Sequence, residues 1–166
     1  MEMSKSIIVE SIITPNIAAP CYGDKIVILD DGELIYHGPC RACPNPYTPS
    51  DKKPWVEAYA WIACTAAGIP LEWECVISPK HGKCLLINNG SPVRTRYPNK
   101  NHGNYFIATE IEIHQGYSEV WSGSAGCITY PPDTTDIMNF FALSEKGKLS
   151  IVDYSKMKGS HETSNV

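Results

Sequence analysis

Apolar and polar residues alternate along this chain more often than they recur at helical spacing, which predicts a mainly β fold. Residues 6–14 are rich in strand formers. Lys25-Ile26-Val27-Ile28-Leu29, then Asp30-Asp31-Gly32, then Glu33-Leu34-Ile35-Tyr36 reads as a hairpin with Asp-Gly at its turn. Cys84-Leu85-Leu86-Ile87, Asn88-Asn89-Gly90 and the run from Pro92 to Arg96 read the same way. Residues 105–114 read as one alternating strand, with Ile107, Thr109, Ile111 and Ile113 on one face and Glu110, Glu112 and His114 on the other.

Punctuation residues bound these elements. Residues 38–54 carry prolines at 39, 44, 46, 49 and 54, which predicts an irregular loop. Residues 97–104 are polar and turn-rich. Residues 55–67 admit two readings. Pro54 before them and Gly68 after them favour a helix, whereas Ala58-Tyr59-Ala60-Trp61-Ile62 alternates like a strand. A helix is expected over 135–143, capped by Asp133, Thr134 or Thr135, with Ile137, Met138, Phe140 and Phe141 packing inward. The expected organisation is a single domain over 1–155 and a disordered polar tail over 156–166.

Composition narrows the function classes. With 166 residues, 43% of them hydrophobic and 19% charged, the chain has the make-up of a one-domain globular protein. A net charge of -4 and the lack of an aromatic-plus-basic stripe argue against a nucleic-acid partner. The apolar stretch Ile7-Ile8-Val9 is broken before Ile12-Ile13, too short for a membrane span or the core of a signal peptide. Cytoplasmic synthesis is therefore expected, with delivery to the cell wall or carriage by a phage if the substrate lies outside. Seven cysteines without an export signal read as reduced thiols. Cys40-Arg41-Ala42-Cys43 is a lone CxxC, without the second ligand pair that a structural zinc site needs.

The chemistry concentrates at His114 and Cys127. A cysteine attacks as its thiolate and needs a group to take its proton, a task for which histidine is suited by a pKa near neutrality. Gly126 before Cys127 lets backbone N–H groups turn toward a developing oxyanion. Glycines at 116, 123 and 126 allow the intervening segment to fold back and bring the two side chains together.

His114-Gln115-Gly116 followed by Ser124-Ala125-Gly126-Cys127-Ile128 resembles the catalytic signature of the L,D-transpeptidases, cell-wall enzymes with a catalytic cysteine. The specific likeness covers about thirty residues, to compact phage and bacterial members of that family. The resemblance implies an L,D-transpeptidase-like β-sandwich or barrel with one or two short helices. It makes Cys127 the nucleophile and His114 its base. Ser124 and Gly126 would shape the turn, and the Gly126 and Cys127 amides would hold the oxyanion. Gln115 and Gly116 would orient the histidine through their backbones. Glu112, on the His114 face of the strand, is an alternative orienter read from the residues themselves.

The implied activity is cysteine-dependent acyl transfer or hydrolysis on peptidoglycan stem peptides, with no metal and no cofactor. Two departures bear on substrate recognition: Ala125 stands where family members commonly carry a polar residue, and Thr129 where they commonly carry arginine. His81 in Lys80-His81-Gly82-Lys83, Tyr117, Trp121 and Arg94 are the candidate substrate-binding residues. Two other classes share these features: a cysteine peptidase or amidase on another peptide, and a non-catalytic binding or virion structural module. The sequence sets no oligomeric state.

Overall fold

A computed structural model describes residues 5–12, 21–42, 68–99, 103–119, 126–133 and 135–154. They form a mainly β architecture. Ten strands run in chain order: β1 (Lys5–Ser11), β2 (Asp24–Asp30), β3 (Glu33–Cys40), β4 (Leu71–Ser78), β5 (Gly82–Ile87), β6 (Val93–Asn99), β7 (Tyr105–Ala108), β8 (Glu112–Gln115), β9 (Ile128–Tyr130) and β10 (Lys146–Asp153). Eight of them build one sheet in the order β3-β2-β1-β10-β4-β5-β8-β9, and β6 and β7 form a separate two-stranded sheet. Pairing is antiparallel except for β1 with β10 and β8 with β9.

The two edges of the large sheet meet. Arg41, just past β3, and Thr129 in β9 exchange backbone hydrogen bonds of 2.7 and 3.0 Å, which nearly closes the sheet into a barrel. The bridge pairs the two edges at this one point, and the rest of β3 keeps an open outer edge. Buried Asp24 reinforces it, accepting the Ile12 N–H at 2.6 Å and the Ala42 N–H at 2.9 Å and so tying the ends of β1 and β3 together. Arg41 is fully buried and donates from Nη1 to the Cys21 carbonyl at 3.0 Å.

Strand alternation fills the interior. Ile7 and Val9, Ile26 and Ile28, Leu71, Trp73 and Cys75, Leu85 and Ile87, Ile113, Ile128, Leu149 and Ile151 belong to one core. Trp73 packs edge-on against Phe141 and donates its indole N–H to the Lys148 carbonyl at 3.0 Å. Most strands bury one face only. β5, β8 and β9 also bury residues of the opposite face, namely Cys84, His114 and Thr129. That doubly covered patch holds the candidate site.

The β2–β3 hairpin forms as expected, with Asp31 and Gly32 both at positive φ (51° and 81°), the conformation a tight hairpin turn requires. Four expectations are corrected. β3 continues through Gly38, Pro39 and Cys40, so this first part of the expected loop is strand, and residues 43–54 lie outside the described residues; β3 is a strand that β2 flanks on one side, where a proline is tolerated. The run over 105–114 is two strands in different sheets, because Glu110 turns the chain at φ 58°. β5 does not pair with β6: Asn88, Asn89 and Gly90, all at positive φ, form a 3-10 turn that carries the chain into the smaller sheet. In place of a helix over 135–143 there is one 3-10 turn, Ile137–Phe140, capped by Asp136, whose carboxylate accepts the Met138 N–H. Ile137, Met138 and Phe141 are buried, and Phe140 packs against the core.

The expected tail over 156–166, residues 55–67 and Cys43 lie outside the described residues. No helix among those described is long and apolar enough to cross a membrane.

Gly147 provides a stability test. A Cβ there would meet the Lys5 carbonyl and the Trp73 indole, neither of which has room to yield. Gly147→Ala is expected to destabilise the fold by about 1–3 kcal/mol through overpacking. Urea denaturation checks this, and an unchanged midpoint would show that the backbone has slack at this position.

Candidate active site

The site is built on β8. Ile113 pairs with Ile128 and His114 with Thr129 in parallel register, so Cys127 lies level with Glu112 as the chain enters β9. The residue spacing of a strand sets Cys127 back from His114 by about 7 Å along the strand direction. The Glu112 N–H donates to Cys127 Sγ at 3.3 Å, and the thiol points its own weak donor at the Glu110 carbonyl, 3.8 Å away. The left-handed turn at Glu110 aims that carbonyl toward the thiol. Its N–H is held by the Gly90 carbonyl at 3.0 Å.

His114 is 1% exposed. Its Nδ1 lies 2.8 Å from the Gln115 carbonyl. A carbonyl only accepts, so Nδ1 carries the proton and Nε2 keeps its lone pair. Gly116 donates its N–H to the Tyr130 carbonyl at 2.8 Å and extends the β8–β9 pairing past His114.

The His81 ring stacks on that of His114 with centroids 3.7 Å apart and planes within 5°. His81 Nδ1 contacts Glu112 Oε1 at 2.7 Å. The Glu112 carboxylate also accepts from the Cys84 thiol, which β5 brings to the same face. Glu112 therefore touches three site residues: Cys127 through its amide, and His81 and Cys84 through its carboxylate.

Burial keeps the pair neutral. Desolvation pushes His114 down to about 4, opposed by its Gln115 hydrogen bond and the Glu112 charge and aided by His81 and Lys80. Desolvation pushes the Cys127 thiol up to about 11, with the Glu112 amide and Lys80 pulling the other way. Cys84 is pushed up to about 12, by burial first and then by Glu112. At neutral pH the site thus holds a protonated thiol and an uncharged imidazole, and not a preformed ion pair.

The other candidates are dispersed. Gly126 is buried directly before Cys127, while Tyr117 is exposed beyond the end of β8. Arg94 stands on β6, in the smaller sheet, where its neighbour Arg96 pairs with Asp153 at 3.3 Å. Ser124 and Trp121 lie outside the described residues. Sequence reasoning missed Cys84, Lys80 and the Glu110 carbonyl. Only the β5–β8 register (Leu85 opposite Ile113, Leu86 opposite Glu112) reveals that Cys84 belongs here. Thr129 Oγ1, level with His114, is buried without a hydrogen-bond partner among the described residues. Cys40 is buried in the core, and the sulfurs of Cys21, Cys40, Cys75, Cys84 and Cys127 are not joined in disulfides. Among the described residues no group of three or more His, Cys, Asp or Glu side chains is arranged to hold a metal ion.

No protein family profile, no curated protein and no solved structure matches this chain.

His114 couples stability to pH. Its folded state resists the proton that the unfolded chain accepts near 6.5, so its contribution is fully present above that value and is lost as pH falls toward about 4. The expected loss is on the order of 3 kcal/mol. Urea midpoints measured from pH 7 to pH 4 should fall less steeply in His114→Gln than in the parent, and parallel curves would contradict the buried neutral imidazole.

Proposed function

We propose that this protein is a cysteine acyltransferase or peptidase of the L,D-transpeptidase type that acts on peptidoglycan stem peptides. The observation that supports it most is that the β8–β9 pairing places a backbone-held thiol, Cys127, two strand positions from a buried imidazole, His114, whose Nδ1 is tied to the Gln115 carbonyl. This arrangement leaves His114 Nε2 as the one basic ring atom. The motif around both residues carries the cell-wall reading.

In the proposed reaction, rotation about the Cys127 side chain turns its S–H from the Glu110 carbonyl toward His114. Nε2 takes the proton as sulfur attacks the substrate amide carbon. A C–S bond forms, the C=O electron pair moves onto oxygen, and the Gly126 and Cys127 amides hold the oxyanion. The tetrahedral species collapses, the C–N bond breaks, and the leaving amine takes the proton from His114. An acceptor amine or water then attacks the thioester, giving its proton to His114, and the sulfur leaves and is reprotonated. Release from the cytoplasm, by delivery to the wall or by a phage, belongs to the same proposal.

One observation favours a second reading, a non-catalytic module. Both hydrogen bonds of Sγ described above are internal, and burial raises the thiol to about 11. Turnover separates the two readings. Incubation with muropeptides should give cross-linked or trimmed products by mass spectrometry. Cys127→Ala should abolish them, and His114→Gln should slow them about 10²–10⁴-fold. The rate should climb with pH through about 4, where His114 loses its proton, and not through the ordinary histidine range. Unaltered muropeptides would leave the non-catalytic reading or a different peptide substrate.

A further inference from the structure

His81 stands out once the site is assembled. It lies in the turn between β4 and β5, yet its ring covers the face of His114 at 3.7 Å and 5°. Turn residues rarely stay in one orientation without a tether, and Glu112 supplies one at 2.7 Å. Ser78 Oγ shapes the turn, accepting the N–H groups of Lys80 at 3.2 Å and His81 at 3.3 Å. Both side chains of the His81–Glu112 pair are largely shielded, at 14% and 13% exposure, so their interaction is little screened.

We propose that His81 is a positioning residue for His114: anchored by Glu112, its ring fixes the His114 ring by stacking and transmits to it the charge of the His81–Glu112 pair. This rests on reading Cys127 and His114 as the reacting pair. Two imidazolium rings this close repel, so a proton on His81 opposes one on His114. Neutral His81 instead leaves the Glu112 carboxylate to favour the imidazolium that forms when His114 takes the thiol proton. The charged and titratable groups facing His114 act in these directions: His81 and Lys80 from the β4–β5 turn oppose its protonation, and Glu112 on β8 favours it. Among the described residues, Cys84 on β5 and Cys127 before β9 lie on the same covered patch, and both stay protonated at neutral pH. His81 thus acts through His114, in contrast to the substrate contact expected from its place in a turn.

His81→Phe keeps a flat ring over His114 and removes the ring nitrogens, and with them any proton there and the Glu112 bond. His81→Ala removes the ring as well, and Glu112→Gln removes the negative charge while keeping an oxygen for His81. NMR titration of the His114 ring needs no substrate. It should move to higher pH in His81→Phe by about half a unit or more, further in His81→Ala as water reaches the ring, and to lower pH in Glu112→Gln. With muropeptides, kcat should fall about 10–100-fold in His81→Ala while KM changes less than about twofold, and His81→Phe should recover part of kcat. Circular dichroism identifies any variant that does not fold, and His81→Phe keeps the test available if His81→Ala fails.

A His114 titration unchanged in folded His81→Phe would overturn the proposal. So would a raised KM with unchanged kcat, which would make His81 a substrate ligand. If the titrations shift as stated while the parent turns over no muropeptide, the positioning role stands and the peptidoglycan reading falls.

Discussion

The backbone bridge between Arg41 and Thr129 is the constraint on which the rest depends. It joins the outer strands of the eight-stranded sheet, β3 and β9, and leaves β9 flanked on both sides although it is only three residues long. A strand that short holds its place through its neighbours and not through its own propensity. Thr129 is also the partner of His114 across the β8–β9 pair. The closure that fixes the barrel therefore fixes where Cys127 enters it, and fold and site are one construction. Buried Asp24, clamping Ile12 and Ala42, holds the β1 and β3 ends on which that closure rests.

Covering both faces of β5, β8 and β9 has an electrostatic consequence. The covered face carries a thiol, an imidazole and a second thiol where a sheet would ordinarily meet water. Desolvation raises Cys127 and Cys84 and lowers His114, so every one of these groups rests uncharged. The same desolvation strengthens whatever charge interactions form there. Glu112 organises the patch, since its amide meets Cys127 and its carboxylate meets His81 and Cys84. Lys80 opposes the His114 proton and favours the Cys127 thiolate, which ties the β4–β5 turn to both.

Short-range patterns carried the parts of the fold that depend on short-range physics. The alternation of Ile7 and Val9, of Ile26 and Ile28, and the Asp31-Gly32 turn were readable because period and turn chemistry are local. Residues 105–114 misled because alternation continues across the break at Glu110. A left-handed non-glycine residue leaves no mark in the pattern, and its position here comes from the Gly90 carbonyl of another segment. The Asn88-Asn89-Gly90 turn has the composition of a hairpin, but three successive positive φ values redirect the chain into another sheet. The expected helix over 135–143 shrank to one 3-10 turn because Asp136 caps it late and Phe141 returns to extended backbone to meet Trp73. His114 and Cys127 were legible as a motif. Cys84 and the Glu110 carbonyl were not, because they arrive through strand register and a tertiary turn. His81 was legible as a turn residue and candidate substrate contact, and its stacking on His114 is a tertiary fact.

The central claim is that Cys127, alone among the thiols, is poised to be acylated with His114 as its base. Its most direct test is exposure of the folded protein to a carbapenem, an acylating agent that the family resemblance makes the natural probe, followed by intact-mass analysis and peptide mapping. The account predicts a single adduct on Cys127, lost in Cys127→Ala and formed far more slowly in His114→Gln. An adduct spread over Cys21 and other thiols, or no adduct with Cys127 in the folded protein, would contradict it.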